Sequence, residues 1–380
     1  MRFSNTEKIQ KSRNREKEET DLKKLLFIVL ATVLALSVGL VGCAGEGEGE
    51  GETVWNYTIP LTFHPTISKF ASIVGEAVNP WVAAVNALNG SQGGHFNVTI
   101  VSPGDSPFDA GSSLNAISIG TTDMGMLSPE TFALGGAGYL PFEFASPEEC
   151  AYVMYNLWTE DSGKWDANGQ LNGIKLLVVV PLWGSQMWTK ATNVTTVADL
   201  SGLKIRTDAQ AVESATLTAW GAAPTYLGVS EIADALTLGT IEATMFTYSG
   251  IGGAANLAKP VTNYTTELDI IYRPYAFAMC KAKWNALPAE AKTLLETVCG
   301  WQESIDLAAA HHAAEAEDRA LTDADRPIYV PNSTEKATFV DAVANVSTNW
   351  AAFMTDPLGY DGAGILARIA ALKVAFAALP

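Results

Sequence analysis

Arg206 is the residue of this chain whose type and position point most directly to a chemistry. It ends a short predicted strand at residues 203–206, where Leu203 and Ile205 share one face and the guanidinium points to the other. A guanidinium is a planar fork of N–H donors that binds a carboxylate through two parallel hydrogen bonds. Open α/β sheets bind ligands beyond the carboxyl ends of their strands. Arg206 is therefore a candidate carboxylate-binding residue; the alternative is an exposed arginine paired with a surface acid.

Aromatic and polar residues at the ends of other predicted strands are candidates for lining the same site. They follow or end the strands predicted at residues 54–60, 124–127, 175–180 and 241–246. In chain order these candidates are Phe63, His64, Ser128, Trp183, Gln186, Phe246 and Tyr248. Apolar walls with a few polar groups are common in ligand pockets. The plainer alternatives are core packing for Phe246, a surface position for Gln186 and a solvated loop imidazole for His64.

Catalytic and cofactor motifs are not evident in the sequence. It has no G-x-S-x-G, no H-E-x-x-H, no phosphate-binding loop and no dinucleotide-binding fingerprint. His311 and His312 with Glu315 could suggest a metal site, but adjacent helical residues point about 100° apart and chelate poorly. We therefore expect no enzyme activity, no cofactor and no metal, although a Ser-His-Asp arrangement remains an alternative.

The charge of the chain excludes one class of partner. The first 42 residues carry a net charge of +3, and the whole chain carries −17, which leaves about −20 on the remainder. Nucleic-acid binders hold phosphates mainly with Lys and Arg, so a body this acidic is not expected to bind nucleic acid. An anion site must instead be made locally, by one or two placed cations or by helix N-termini.

The N-terminal segment predicts export. Lys23 and Lys24 precede an apolar run at residues 25–41, and Leu40-Val41-Gly42-Cys43 follows as a bacterial lipobox would. Residues 1–43 are thus predicted to be a lipoprotein signal peptide that leaves a lipidated Cys43 on an extracytoplasmic membrane surface. The alternative is an uncleaved anchor helix. Residues 44–52, AGEGEGEGE, are typical of a flexible tether.

Three further cysteines lie in the body of the chain. An odd number leaves at least one unpaired, and no C-x-x-C pair occurs. Cys280 and Cys299 could form a disulfide in an oxidising compartment, or all three, including Cys150, could be buried thiols.

The elements that must position these residues alternate between strands and helices. Such alternation is typical of an α/β architecture with largely parallel strands. Apolar spacing predicts a helix at 70–88 that is kinked by Pro80, a single long helix at 288–320, and later helices at 335–353 and 364–378. Ser230 is a plausible N-cap for a helix at 230–238.

Several segments resemble the DctP-like substrate-binding proteins of tripartite ATP-independent periplasmic (TRAP) transporters. The similar segments are LSGLKIRT at 200–207, WGAAPTYLGVSEIADALTLGTIEA at 220–243, IGTTDMGMLSPETF at 119–132, YLPFEF at 139–144 and AMCKAKWNALPAEAKTLLE at 278–296. No single segment is decisive, but their order and spacing together are specific. The resemblance extends over about residues 55–320.

The resemblance implies a fold like that of periplasmic binding proteins. Two α/β lobes would be joined by β-strands, with the ligand cleft between them and a long helix spanning both. We expect residues 53–180 and 271–305 to form lobe I, and residues 181–270 and 306–380 to form lobe II. The implied function is capture of a small organic acid for membrane subunits driven by an ion gradient. Fold alone does not choose among functions, so two alternatives remain. The chain could be a binding protein for an ATP-driven importer or a sensor, or, less favourably, a hydrolase.

The resemblance also implies roles for single residues. The family's arginine at the position of Arg206 holds the substrate carboxylate. Many relatives carry a second arginine where Gln186 falls, so this chain has lost one cation, which favours a monocarboxylate. Phe246 and Cys280 stand where relatives often have Asn, which suggests a more apolar pocket with one polar contact fewer.

Overall fold

The computed structural model describes residues 55–65, 73–101, 110–160, 166, 168–208, 211–251, 261–326 and 328–380. The predicted signal peptide, Cys43 and the tether lie outside the described residues. The stretch Thr53–Pro380 forms one compact unit. Among the described residues, no helix combines the length and the apolar character needed to cross a bilayer.

The described strands form two sheets. In chain order they are β1 (Thr58–His64), β2 (His95–Ile100), β3 (Met124–Leu127), β4 (Ile174–Pro181), β5 (Gln186–Thr189), β6 (Lys204–Thr207), β7 (Ala223–Tyr226), β8 (Ala243–Phe246), β9 (Tyr264–Thr266), β10 (Pro274–Cys280) and β11 (Ile328–Tyr329). The first sheet has the order β2-β1-β3-β10-β4, and the second has the order β11-β9-β5-β8-β6-β7. Strand β4 is almost entirely buried, which explains its run of Leu and Val.

Each sheet is mixed rather than parallel. Strand β1 pairs in parallel with β2 and β3, and β6 pairs in parallel with β7 and β8. Strands β10 and β5 run antiparallel to both of their neighbours. The α/β class is confirmed, but the expectation of largely parallel strands is only partly right, because these two strands reverse direction as the chain changes sheets.

Two short segments carry the chain between the sheets, and we call them the crossing segments. Residues 182–185 lead from β4 to β5, and residues 267–273 lead from β9 back to β10. They are hydrogen-bonded to each other: the Leu182 amide donates to the Arg273 carbonyl at 2.9 Å, and the Ser185 amide donates to the Ile271 carbonyl at 3.0 Å. The two sheets are thus joined by a pair of hydrogen-bonded segments that continue from strands but are not themselves strands.

The helices cover the outer faces of the sheets. They are α1 (Asn79–Ala87), α2 (Ser113–Ser118), α3 (Pro147–Thr159), α4 (Ala211–Ala219), α5 (Ile232–Leu238), α6 (Tyr248–Ile251), α7 (Lys281–Ala286), α8 (Ala289–Glu296), α9 (Trp301–Asp325), α10 (Ser333–Ala342), α11 (Ala344–Thr355) and α12 (Gly362–Ala377). Local sequence explains several of the starts. The Ser146 side chain accepts from the Glu149 amide ahead of Pro147, so α3 begins where a capping residue precedes proline. A π-helix, Val74–Val78, leads directly into α1, and Pro80 lies in the first turn of α1.

The predicted single helix at 288–320 is wrong, because the structure divides it. Helix α8 ends at Glu296, and α9 begins only at Trp301. Gly300 lies between them at φ 108°, a backbone conformation that no helix contains, and its amide donates to the Leu177 carbonyl of β4 at 2.9 Å. The longer piece, α9, packs against α3 and β4 of the first sheet and against α6 of the second. A long helix spanning both sheets is therefore present, with a later start.

Other boundaries also differ from the predictions. Helix α5 begins at Ile232 after a 3-10 turn, and Ser230 lies inside that turn instead of capping the helix. The predicted helix at 335–353 is two helices, α10 and α11, that meet at Val343.

The C-terminal helix bears on the expected lobe boundaries. Helix α12 packs against α3, and Arg368 and Lys373 pair with Glu160 and Glu143. These partners lie in the stretch assigned to lobe I, whereas residues 306–380 were assigned to lobe II. Strands β1–β4 and β10 form one sheet, and β5–β9 with β11 form the other, while the lobe boundaries stay a prediction.

Candidate functional site

Arg206 lies on β6, between two parallel neighbours, with a side chain only 3% exposed. Its Nε donates to the Leu227 carbonyl at 3.0 Å. Its guanidinium carbon lies 5.8 Å from the centroid of the Phe246 ring. Among the described residues, its two Nη atoms donate no hydrogen bond and no carboxylate forms a salt bridge with it. Arg206 is thus a buried cation with unused donors.

A second buried arginine, Arg273, lies at the end of the crossing segment and was missed from sequence. All three of its nitrogens are committed. Nη1 donates to Ser185 Oγ at 2.5 Å, Nη2 to Glu213 Oε1 at 2.5 Å, and Nε to Asp208 Oδ2 at 3.2 Å. Its side chain is 4% exposed, close to the value for Arg206. Arg273 is therefore held by two carboxylates and a hydroxyl.

Phe246, at the end of β8, lies close to both arginines. Its ring centroid lies 5.8 Å from the Arg206 guanidinium carbon and 5.7 Å from that of Arg273. Cations at this distance interact favourably with an aromatic ring, by about 0.5–2 kcal/mol each. The prediction that Phe246 lines a ligand pocket stays a prediction.

The carboxylates of this cluster have perturbed acidity. Burial and the neighbouring Asp208 raise the pKa of Glu213 to about 7, against the opposing effect of Arg273. Burial acts to lower the pKa of Arg273, but the carboxylates of Glu213 and Asp208 outweigh it and raise that pKa. The charges of Arg206, Arg273, Asp208 and Glu213 sum to zero when Glu213 is ionised and to +1 when it is protonated.

Two tyrosines approach this cluster from the stretch assigned to lobe I. The Tyr139 ring centroid lies 5.8 Å from the Arg273 guanidinium carbon, and its hydroxyl donates to Glu130 at 3.4 Å. Tyr275, on β10, is also buried. Burial is the first cause that raises the pKa of both phenols well above 10, so both are neutral hydrogen-bonding groups at physiological pH. The structure brings both sheets to the arginine cluster.

Ser128, a predicted site residue, lies directly after β3. Its hydroxyl is fully buried and makes no hydrogen bond of standard geometry within the described ranges. It lies near Tyr275. Whether Ser128 faces the cleft and contacts ligand stays a prediction.

Gln186 has a structural task that the sequence did not suggest. It lies in β5, not in a loop, and its side chain makes four hydrogen bonds. Nε2 donates to the Gly184 carbonyl at 2.8 Å and to Asp269 Oδ1 at 2.6 Å, while Oε1 accepts from the amides of Leu268 and Asp269 at 2.7 and 3.1 Å. Its bonding capacity is essentially used. Gln186 ties the crossing segments together and is fully buried, so the surface position given as its alternative is wrong. A contact between Gln186 and ligand stays a prediction.

Trp183 belongs to the same junction. Its Nε1 donates to Asp269 Oδ1 at 3.0 Å, and its ring meets the His312 imidazole edge-on with centroids 4.1 Å apart. The His312 Nδ1 in turn lies 2.8 Å from Glu148 on α3. Trp183 therefore links a crossing segment to α9; a contact with ligand stays a prediction.

Tyr248 and Phe63 are both packed in apolar surroundings. The Tyr248 hydroxyl donates to Glu267 Oε2 at 2.7 Å, and its ring lies 5.6 Å from that of Trp188. Phe63 is fully buried against Trp81 and Phe277 in the first sheet's core. Both side chains are fully buried, and a contact of either with ligand stays a prediction.

His64 ends β1 and is buried rather than solvated. Burial lowers its pKa, although nearby Asp123 opposes that shift. The imidazole is therefore neutral at physiological pH. Whether it contacts ligand stays a prediction.

The histidines of α9 do not form a metal site. The His311 imidazole is buried, with neither ring nitrogen hydrogen-bonded, and the Glu315 carboxylate is bound by Ser249. In the part of the chain that the structure describes, no group of three or more His, Cys, Asp or Glu residues is arranged to hold a metal ion. Cys150, Cys280 and Cys299, all described, are free thiols, so the Cys280–Cys299 bridge is absent.

Two α/β sheets joined by paired crossing segments, with an arginine cluster between them, define the architecture of a bacterial solute-binding protein. The chain belongs to the DctP family, the bacterial extracellular solute-binding protein family 7, whose model matches residues 67–352. This confirms the resemblance drawn from the sequence motifs.

Individual relatives agree with this assignment. The chain is 25% identical over 270 residues to the C4-dicarboxylate-binding periplasmic protein DctP of Rhodobacter capsulatus, covering 66% of this chain and 75% of the relative. A marine metagenome TRAP solute-binding protein specific for aromatic acids, solved with metahydroxyphenylacetate, has a TM-score of 0.74 at 23% identity and covers 84% of this chain and 99% of its own. A TRAP solute-binding protein from Rhodoferax ferrireducens T118, solved with benzoate, has a TM-score of 0.74 at 21% identity, covering 84% and 98%. At these identities the solved structures establish the fold.

Proposed function

We propose that this chain captures a small organic acid with one carboxylate and delivers it to the membrane subunits of a TRAP transporter. The observation that carries the proposal is Arg206. It is a buried guanidinium at the carboxyl end of a strand, and neither Nη atom donates a hydrogen bond within the described chain. A ligand carboxylate would accept from both Nη atoms, which gives orientation as well as binding energy.

The surroundings of Arg206 favour a ligand with an apolar or aromatic body. Phe246 flanks the guanidinium, and the phenols of Tyr139 and Tyr275 are neutral. Aromatic walls with a few oriented polar groups are the usual composition of small-ligand pockets. The likeness to folds that hold metahydroxyphenylacetate and benzoate supports the same class of ligand.

Among the described residues of this cluster, Arg206 is the guanidinium with uncommitted Nη atoms, which supports a monocarboxylate over the dicarboxylate in the name of the Rhodobacter capsulatus relative. Gln186 occupies the position where the sequence motifs place a second arginine, and it is fully engaged in the crossing segments. A second ligand carboxylate would therefore lack a free guanidinium, and burying an unpaired charge is costly.

Delivery requires the protein to remain near the membrane on the outer side. We propose that the signal peptide is removed, that Cys43 is acylated, and that residues 44–52 form the tether. Acyl chains contribute about 0.8 kcal/mol per buried methylene, so a lipid would hold the acidic body at the surface without help from anionic headgroups. No cofactor and no catalytic step is part of this function.

A thermal-shift screen of organic acids tests the proposal. A ligand at about 100 times its Kd should stabilise the protein by about 2.7 kcal/mol, so Tm rises with the correct acid. Benzoate, 3-hydroxybenzoate, 2-oxo acids, hydroxy acids and succinate form a first panel. We expect Arg206→Ala to abolish the shift for every acid that produces one.

The matched control is Arg368→Ala, which removes an arginine on α12 that is paired with Glu160 at the surface. This variant should keep the full ligand shift. The proposal fails if folded Arg206→Ala responds to acids as the parent does, or if the parent responds to none.

A further inference from the structure

Arg273 raises a question that the proposed function leaves open, because it is a second guanidinium beside the first. It is as buried as Arg206 and approaches the same Phe246 ring. A site with two available arginines would suit a dicarboxylate. Some other group must therefore prevent the second arginine from acting as a second carboxylate receptor.

Resting on the proposed function, we propose that Glu213 is the specificity-determining residue, since with Asp208 it neutralises Arg273 internally and leaves the site a single available cation. The site then selects monocarboxylates and rejects the corresponding dicarboxylates. Arg273 is a positioning residue in this arrangement, and it does not contact the ligand.

The contacts of Arg273 support the assignment. Glu213 Oε1 lies 2.5 Å from Arg273 Nη2, and Asp208 Oδ2 lies 3.2 Å from Arg273 Nε. Arg273 Nη1 donates to Ser185 Oγ. An incoming carboxylate would have to displace one of these partners. Displacement would leave a carboxylate such as that of Glu213, which is fully buried, without its counter-ion, and breaking a buried pair in this way is strongly unfavourable.

Glu213 is fixed by more than Arg273. It lies in the first turn of α4, where the helix N-terminus stabilises negative charge. Its Oε2 accepts from the Thr207 hydroxyl at 3.2 Å and from the Asp208 amide at 3.0 Å. The carboxylate is thus oriented toward Arg273 by the end of β6 and the adjoining loop, and these same elements carry Arg206. The end of β6 therefore both orients the carboxylate that neutralises Arg273 and carries Arg206 itself.

The test compares matched acid pairs that differ by one carboxylate, benzoate with isophthalate and propionate with succinate. Affinities are measured by titration calorimetry at pH 8.5, where Glu213 is ionised. The parent should prefer the monocarboxylate of each pair that binds. In Glu213→Gln, which keeps the shape but removes one counter-charge, we expect the ratio of dicarboxylate to monocarboxylate affinity to rise about tenfold.

Two further variants keep the test decisive. If Glu213→Gln does not fold, Asp208→Asn removes the more exposed counter-charge, 22% exposed, and should move the ratio in the same direction. In the neutral pair Glu213→Gln with Arg273→Gln, the ratio should return to the parent value. An unchanged ratio in both single variants overturns the inference, and so does loss of benzoate binding in the neutral pair, because Arg273 would then hold the ligand directly.

The outcome separates the inference from the function on which it rests. A parent protein that binds none of the acids contradicts the proposed function and the inference with it. A parent that binds a monocarboxylate, but whose variants keep the same ratio, contradicts the inference alone.

Discussion

The strand end that carries Arg206 and the crossing segment that carries Arg273 differ in only one physical respect that matters. Both guanidiniums are almost fully buried, with exposures of 3% and 4%, and both approach Phe246. Arg206 uses one nitrogen on a backbone carbonyl, whereas Arg273 uses all three on side chains. The comparison teaches that burial of a charge does not identify a binding residue; uncommitted donors do.

The difference originates in the groups that surround the tip of each arginine. Arg206 points between two parallel strands, where its hydrogen-bond partner is the Leu227 carbonyl. Arg273 points at the start of α4, where Glu213 and the preceding Asp208 place two carboxylates. The Arg273 region already contains its anions, and the Arg206 region is the proposed site for an anion from outside.

Removal of the committed arginine should produce the largest effect of all. Arg273→Ala would leave Glu213 buried without its closest counter-ion, so we expect a loss of about 3–5 kcal/mol in the free energy of unfolding. Urea unfolding at pH 8.5 measures it. The contrast is the surface pair of Arg368 and Glu160. Arg368→Ala should lower the free energy of unfolding by less than about 1 kcal/mol. Equal losses in the two variants would show that the Arg273 cluster is not a buried structural pair.

A conservative change of the uncommitted arginine should affect binding instead of stability. Arg206→Lys keeps the charge but loses the planar fork, so we expect affinity for the bound acid to fall roughly 10–100-fold, or about 1.4–2.8 kcal/mol. The free energy of unfolding should change by less than about 1 kcal/mol. Titration calorimetry and urea unfolding measure the two quantities.

Lys204 provides the matched control, since it is an exposed cation on the same strand. Lys204→Ala should leave affinity unaltered. If Arg206→Lys binds as tightly as the parent, the carboxylate is not held in a bidentate manner and the contrast between the two arginines loses its meaning.

Much of the fold could be predicted because local patterns determine it. The strand at residues 124–127 was located to the residue, and the helix predicted at 364–378 matches α12 to within two residues at each end. The break before α9 was missed because helical spacing of apolar residues continues through Gly300, while its cause, a hydrogen bond to Leu177, lies far away in the sequence. Strand β5 was missed for a similar reason, since its pairing with β8 and β9 is entirely non-local.

The site was predictable only in its most local part. Arg206 ends an alternating strand pattern, and that pattern indicates both its position and its direction. Arg273 gave one usable signal, a charged residue in the apolar run at 270–280, which demands a buried partner. Its partners, however, lie 60 and 65 residues away along the chain. The same limitation misplaced Gln186, because three of its four hydrogen bonds are made with the second crossing segment.

The smallest expected effect is a pH dependence of ligand affinity. It tests whether the charge of Glu213, beside Arg273, influences binding at Arg206. Burial and Asp208 raise the pKa of Glu213 to about 7, so lowering the pH from 8.5 to 6 protonates it and changes the local charge from zero to +1. A more positive cluster favours an anion at Arg206, so benzoate affinity should rise by about threefold as pH falls, a change of under about 1 kcal/mol across a partly screened distance.

The other titratable side chains near the cluster are not expected to produce the same pH dependence. Burial raises the pKa values of Tyr139 and Tyr275, so neither phenol becomes charged through that window, and Arg273 stays protonated. Burial lowers the pKa of His64, which opposes its protonation as the pH falls. Reciprocity requires that binding takes up a proton, which calorimetry in buffers of different ionisation enthalpy detects. Both the pH dependence and the proton uptake should vanish in Glu213→Gln. If they persist there, a group outside this cluster couples to the ligand, and the two arginine regions act independently.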